Sequence, residues 1–398
     1  MKKYCKGAVR FKQWLLYKAC YFMHFREPVL LKNYDEIVSL VKRLNKTNVM
    51  LVVDPGIHKL GLSAKLIKAL EDNSIKYTLF TTIEANPKIK DIEQGVVLYN
   101  ESKCDMFIAL GGGSAIDSAK AIAARIVRPK KSIEQLKGLL KVGRKIPPFV
   151  AIPTTAGTGS ECTIASVVTN SEDNHKYAIN DLNLTPHYAL LDPELTLGLP
   201  KNITAWTGMD ALTHAVEGYI SRDVPKKCKL FAEQAIVDII NNMKEVYDNP
   251  TNIEAREKML KASYKAGVVF TRTGLTYVHP IAHTLGGLYN VPHGLANANI
   301  LPVCLRYYGS KVWYKLANLA ELCELTTINM TMEEKANAFI KKIEELNDYM
   351  GVTQKFDIKD DDIDQMIDWA LAEANGQYNP PVYLRSENIR EIINLIKN

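Results

Sequence analysis

The sequence predicts an α/β domain built on a parallel sheet, followed by an all-α domain. Three observations predict this. Between Asn48 and Ile152, short apolar runs alternate with helical stretches, the texture of a parallel sheet covered by helices. After Asp192-Pro193 and Gly198-Leu199-Pro200 the β-branched runs give out, and helical periodicity dominates to the C-terminus. The chain's 398 residues, 47% hydrophobic and 24% charged, supply enough apolar side chain for two or three ordinary cores. A boundary near residue 196 divides an extension (1–27) and an α/β domain (28–196) from a helical domain (197–398).

The elements follow in order. Residues 1–32 carry eight Lys or Arg against Glu27 alone, a balance of +7 in a chain of net charge +6. The remainder is therefore near −1, with no basic face for nucleic acid. Lys2 to Phe25 lacks the unbroken apolar run and small-residue cleavage site of a secretory leader. As a helix it would set Phe11, Trp14, Leu15, Phe22 and Phe25 near one face. The first reading is a helix docked on its own domain or on a partner subunit; the second is a membrane-surface helix. Val49–Val53 reads as a strand, Leu60 to Leu70 as a helix, Lys76–Phe80 as a strand and Ile89–Leu98 as a helix. Met106–Leu110 is a buried strand whose glycine turn opens a helix to about Val127, and Phe149–Ile152 is the next strand.

Seven scattered cysteines with no CxxC pair point to a reducing, cytoplasmic setting and away from a thiolate metal site. No apolar run is long enough to span a membrane.

Two loops stand where a ligand of a parallel sheet binds, beyond the carboxyl ends of strands. In Leu110-Gly111-Gly112-Gly113-Ser114 the strand passes through three glycines into a helix. Its backbone N–H groups could cradle a pyrophosphate or simply close a tight turn. Pro153-Thr154-Thr155-Ala156-Gly157-Thr158-Gly159-Ser160 repeats the arrangement with four hydroxyls, and two such loops together favour a cofactor. Asp54 ends the first strand of this series, where a carboxylate would accept from a ribose 2′-OH and repel a 2′-phosphate; it also suits a plain turn before Pro55-Gly56.

Asp210 and His214 are one helical turn apart, as are His279 and His283, and His293 follows ten residues later. Histidines in such apolar surroundings need partners. One carboxylate with several imidazoles and no thiolate suits an open site for Fe²⁺, Zn²⁺ or Mn²⁺.

The segments GGGSAIDSAK, IPTTAGTGSE, GMDALTHAVEGY and YVHPIAHTLGGLYNVPHGLANA resemble the iron-containing (group III) alcohol dehydrogenases, in order from about residue 28 to the end. The resemblance implies a Rossmann-like N-terminal domain and a helical C-terminal domain in the dehydroquinate synthase-like architecture. It implies metal ligands Asp210, His214, His279 and His293, with iron expected and zinc an alternative. His283 matches the family's additional active-site histidine. Asp54, Asn86, Gly112, Gly113, Ser114, Asp117, Thr154, Thr155, Thr158, Val167 and Lys176 match NAD-contacting positions, and Phe270 and Ala165 match the substrate pocket. Arg272 stands where many members have asparagine. A homodimer is also implied.

The chemistry so implied is reversible hydride transfer between a primary alcohol or diol and the nicotinamide, with the metal as Lewis acid. The alternatives are a relative acting on glycerol or on an acidic hydroxy or semialdehyde substrate, or a non-catalytic nucleotide-binding protein.

Overall fold

The computed structural model describes all residues except 1–6, 8, 12, 16–22, 24, 85, 86 and 170–175. Contacts divide the chain into His24–Gly198 and a second unit of Leu199–Asn398 with Met1–Met23.

The first unit is α/β. Its strands are β1 (Val29–Leu31), β2 (Val49–Val53), β3 (Tyr77–Phe80), β4 (Met106–Gly111), β5 (Gly138–Leu139), β6 (Phe149–Pro153), β7 (Ala165–Thr169), β8 (Lys176–Asn180) and β9 (Tyr188–Leu190). Six form a parallel sheet in the order β1-β9-β6-β4-β2-β3. Its central strands are buried on both faces, which is why they read as unbroken apolar runs. Alternate residues feed two cores: Met50, Val52, Phe107 and Ala109 on one face, Val49, Leu51, Met106 and Ile108 on the other. Burial of each of these Val, Leu, Ile, Met and Phe side chains contributes about 1.5–3 kcal/mol.

The helices are α1 (Tyr34–Arg43), α2 (Pro55–Lys59), α3 (Ala64–Asp72), α4 (Ile89–Glu101), α5 (Gly113–Val127) and α6 (Ile133–Leu136). The helix expected from Leu60 to Leu70 starts later, at Ala64, and a separate short helix, α2, precedes it. Asp54 caps α2 at Pro55, and Gly61, at φ +76°, breaks the chain before α3 starts. A second sheet of three strands, in which β7 and β8 pair antiparallel, had no clear signature among its polar residues.

The second unit contains α7 (Lys201–Ile220), α8 (Lys226–Asp248), α9 (Ile253–Thr273), α10 (Val278–Tyr289), α11 (His293–Tyr308), α12 (Trp313–Leu322), α13 (Met332–Tyr349), α14 (Ile363–Gln377) and α15 (Ser386–Ile396). Helix α7 is buried from Gly208 to Ile220 and packs on α8, α9 and α11. Pro302 lies inside α11 and has no N–H for the Ala298 carbonyl; Asn347 Nδ2 donates to that carbonyl instead, at 2.6 Å. Residues 7, 9–11 and 13–15 are helical and belong to this unit, held by Val9, Arg10 and Gln13, with Phe11, Trp14 and Leu15 exposed; Phe22 lies outside the described residues.

Candidate active site

Because α7 is buried along most of its length, each polar side chain on it needs a partner. Asp210, His214 and Glu217 follow one another at four and three residues, which places them on one face. His279 lies in the first turn of α10, and His293 opens α11. The start of α11 reaches α7 because residue 294 is glycine: a Cβ there would sit 2.1 Å from the Trp206 carbonyl oxygen.

One ligand atom each from Asp210, His214, His279 and His293 lies within 4.8 Å of the others. Asp210 Oδ1 is 3.4 Å from His293 Nε2 and 3.7 Å from His279 Nε2, and Oδ2 is 3.9 Å from His214 Nδ1. The Asn297 amide donates to Asp210 Oδ1 at 2.8 Å and lies 3.2 and 3.1 Å from Nε2 of His279 and His293. With His279 neutral, two amide hydrogens face three acceptors. Such a pocket is rich in lone pairs and poor in protons, which fits a divalent cation. Burial alone would raise the Asp210 carboxyl, but His214, His293 and His279 outweigh it and hold it far below the usual range.

Glu217 was not anticipated. It is fully buried and accepts from His279 Nδ1, from the Thr276 hydroxyl, and from the backbone N–H groups of Thr276 (2.8 Å) and Val278 (3.1 Å). The bond fixes the His279 tautomer, so its Nε2 lone pair points to the cluster. Burial opposes a charged His279, yet Glu217 and Asp210 push its imidazole up to about 9. The clue in the sequence was the spacing, since Glu217 is seven residues after Asp210 in an apolar helix. Asn297, one turn after His293, could have been found in the same way.

His283, one turn beyond His279, donates from Nδ1 to Glu373 on α14 at 3.0 Å, and Tyr378 donates to the same carboxylate at 2.7 Å. Glu373 is ninety residues from His283, so no local pattern could reveal it. The His283 ring stacks on His293 at 5.1 Å. Phe270 stacks on His214 at 4.2 Å, while the Arg272 guanidinium donates to the Val268 carbonyl one turn back.

In the α/β unit, Asp54, the glycine loop and the threonine loop meet at the carboxyl ends of β2, β4 and β6. A Cβ on Gly113 would fall 2.9 Å from the Thr158 methyl, so glycine keeps this cradle open. No side chain caps the start of α5, the end of a helix that favours an anion. Ser114 lies in that first turn, and Thr155 faces Gly112. The Thr154 hydroxyl is buried without a protein partner. These features fit a dinucleotide.

Asp54 Oδ1 accepts from the N–H groups of Gly56 and Ile57. Asp117 accepts from the Ser160 hydroxyl and the Val167 N–H, tying the threonine loop to β7. Lys176, opposite Thr169 in the β7–β8 pair, is pushed down by burial. The Ala165 carbonyl accepts from Lys120 Nζ at 2.8 Å. Asn86 lies outside the described residues.

Residues 31–193 match the family described as iron-containing alcohol dehydrogenase, and 204–396 match its C-terminal part. A 1,3-propanediol dehydrogenase of Klebsiella pneumoniae is 36% identical over 86% of this chain and 89% of its own length. An NAD-dependent methanol dehydrogenase of Bacillus methanolicus is 32% identical over 91% and 95%. The structure of an alcohol dehydrogenase from Oenococcus oeni superposes with a TM-score of 0.89 at 32% identity, covering 94% of this chain and 99% of that one. With both halves matched and the four ligands assembled, the chain belongs to the iron-containing alcohol dehydrogenase family.

Proposed function

We propose that the chain catalyses reversible, NAD(H)-linked hydride transfer between a small primary alcohol or diol and its aldehyde. The observation that carries this is the cluster of Asp210, His214, His279 and His293, with their ligand atoms within 4.8 Å. These residues would hold iron, which would supply Lewis acidity toward the substrate oxygen, and bound NAD(H) would supply the hydride chemistry. The relatives named for 1,3-propanediol and methanol support a short alcohol as substrate.

The chain's own residues divide the remaining work. Asp210 brings the negative charge that favours a cation, and Glu217 keeps His279 from turning away. His283, oriented through Nδ1 by Glu373, has Nε2 left to take the alcohol proton in oxidation and return it in reduction. Phe270 covers the apolar side of His214, where the substrate's carbon chain is proposed to lie. Asp54 is proposed to read the ribose 2′-OH and to disfavour a 2′-phosphate. A reducing, cytoplasmic setting is proposed on the five buried cysteines outside disulfides among the described residues. A homodimer is the proposed assembly.

The test is aldehyde-dependent NADH oxidation by chelated, iron-reloaded and His279→Ala protein. Activity should vanish on chelation, return with iron and stay absent in the variant. Full activity without bound metal, or a preference for NADPH, would overturn the reading.

A further inference from the structure

The described N-terminal helical residues face two ways. Val9 and Gln13 are buried; the Arg10 guanidinium donates to the Pro380 carbonyl at 2.7 Å, and Gln13 Nε2 donates to the Ala374 carbonyl at 3.5 Å. These contacts anchor the segment on the helical unit. Phe11, Trp14 and Leu15 are 63%, 44% and 56% exposed, with the two rings stacked at 5.9 Å. Their i, i+3, i+4 spacing makes one ridge. An anchored helix that holds three large apolar side chains in water keeps a surface that water disfavours.

Charge decides what covers it. Lys2, Lys3, Lys6, Lys12 and Lys18 belong to the same stretch of sequence, and residues 1–32 sum to +7 while the rest of the chain is near −1. A second copy laid on the ridge would bring two such segments together against their repulsion. An anionic surface attracts the lysines and takes up the apolar residues at once. We propose that Phe11, Trp14 and Leu15 dock the enzyme on an anionic lipid surface. The side chains enter the boundary between headgroups and acyl chains, where Trp and Phe are at home.

The test uses full-length, iron-loaded protein with vesicles of phosphatidylserine mixed into phosphatidylcholine, or of phosphatidylcholine alone. Sedimentation should carry the protein down with the anionic vesicles only, and high salt should release it. Trp14 emission should shift to the blue on binding, a shift missing from Trp14→Phe. In Phe11→Ser/Trp14→Ser/Leu15→Ser, binding should fall about tenfold or more while aldehyde reduction and melting temperature hold. Trp14→Phe, which conserves the fold, keeps the test valid should the triple variant misfold. Equal binding to both vesicle types, no binding, or undiminished binding by the triple variant would overturn the proposal. A concentration-dependent doubling of mass that the triple substitution abolishes would instead give the ridge to a second copy.

Discussion

Glu217 shows how much one carboxylate outside a ligand set can decide. Its four acceptor contacts hold an imidazole and two backbone amides at once. Glu217→Gln keeps the shape but removes the charge and turns one acceptor oxygen into a donor. Metal affinity should drop 10- to 100-fold, on the order expected for losing an orienting partner, and competition with a fluorescent chelator would measure it. His279, near 9 without metal, holds a proton across neutral pH. Metal uptake should therefore release that proton, and apparent affinity should rise with pH up to about 9; weakly buffered dye assays would show both. For the metal-free protein the sign is opposite. A folded-state value above the ordinary 6.5 adds stability below 6.5, and that stability is lost as pH rises through about 9.

Glu161 gives a second residue-scale outcome. Burial pushes its carboxyl up from 4.5 to about 7, and Oε1 has no partner. Its contribution to stability is complete below pH 4.5 and is lost as pH rises through about 7. Glu161→Gln should accordingly melt higher than the wild type at pH 8 and not at acid pH, in paired thermal scans; a lower melting point at pH 8 would refute the assignment.

At the scale of elements, the site exists because two helix starts, those of α10 and α11, converge on the middle of a third. Ligands on α7 were legible because 3.6-residue periodicity stacks positions four apart on one face, and the His279–His293 spacing announced a second contributor. What periodicity could not give was the approach of α11 to α7, which depends on the missing side chain of Gly294 against the Trp206 carbonyl. Gly294→Ala should force the helices apart, cost about 1–3 kcal/mol or more in unfolding free energy, and lower the metal-to-protein ratio, read together by denaturation and elemental analysis. For the N-terminal segment, periodicity gave the apolar stripe but not the docking, because Arg10 and Gln13 anchor it through backbone carbonyls of residues far along the chain.

For the whole molecule, alternation of apolar runs and helices revealed the parallel sheet, since buried central strands need no polar face. The β7–β8 pair escaped because its short, half-exposed strands mix Ser, Thr, Lys and Asn with apolar residues. Glu373 escaped because only the folded chain brings α14 to α10. The two nucleotide loops were legible as a pair, where each alone had a plainer explanation. Chelation should leave the melting of the α/β unit near its original temperature and destabilise the helical unit, since all four ligands belong to the latter. Differential scanning calorimetry with and without chelator would resolve the two.

The joint between α9 and α10 carries a consequence of its own. Gly274 takes φ +70°, and the next contacts of the chain, the amides of Thr276 and Val278, close on the same carboxylate that steadies His279. The carboxylate that aims an imidazole at the cluster is thus also the clasp of the joint, so any substitution of Glu217 loosens a metal ligand and a chain turn together.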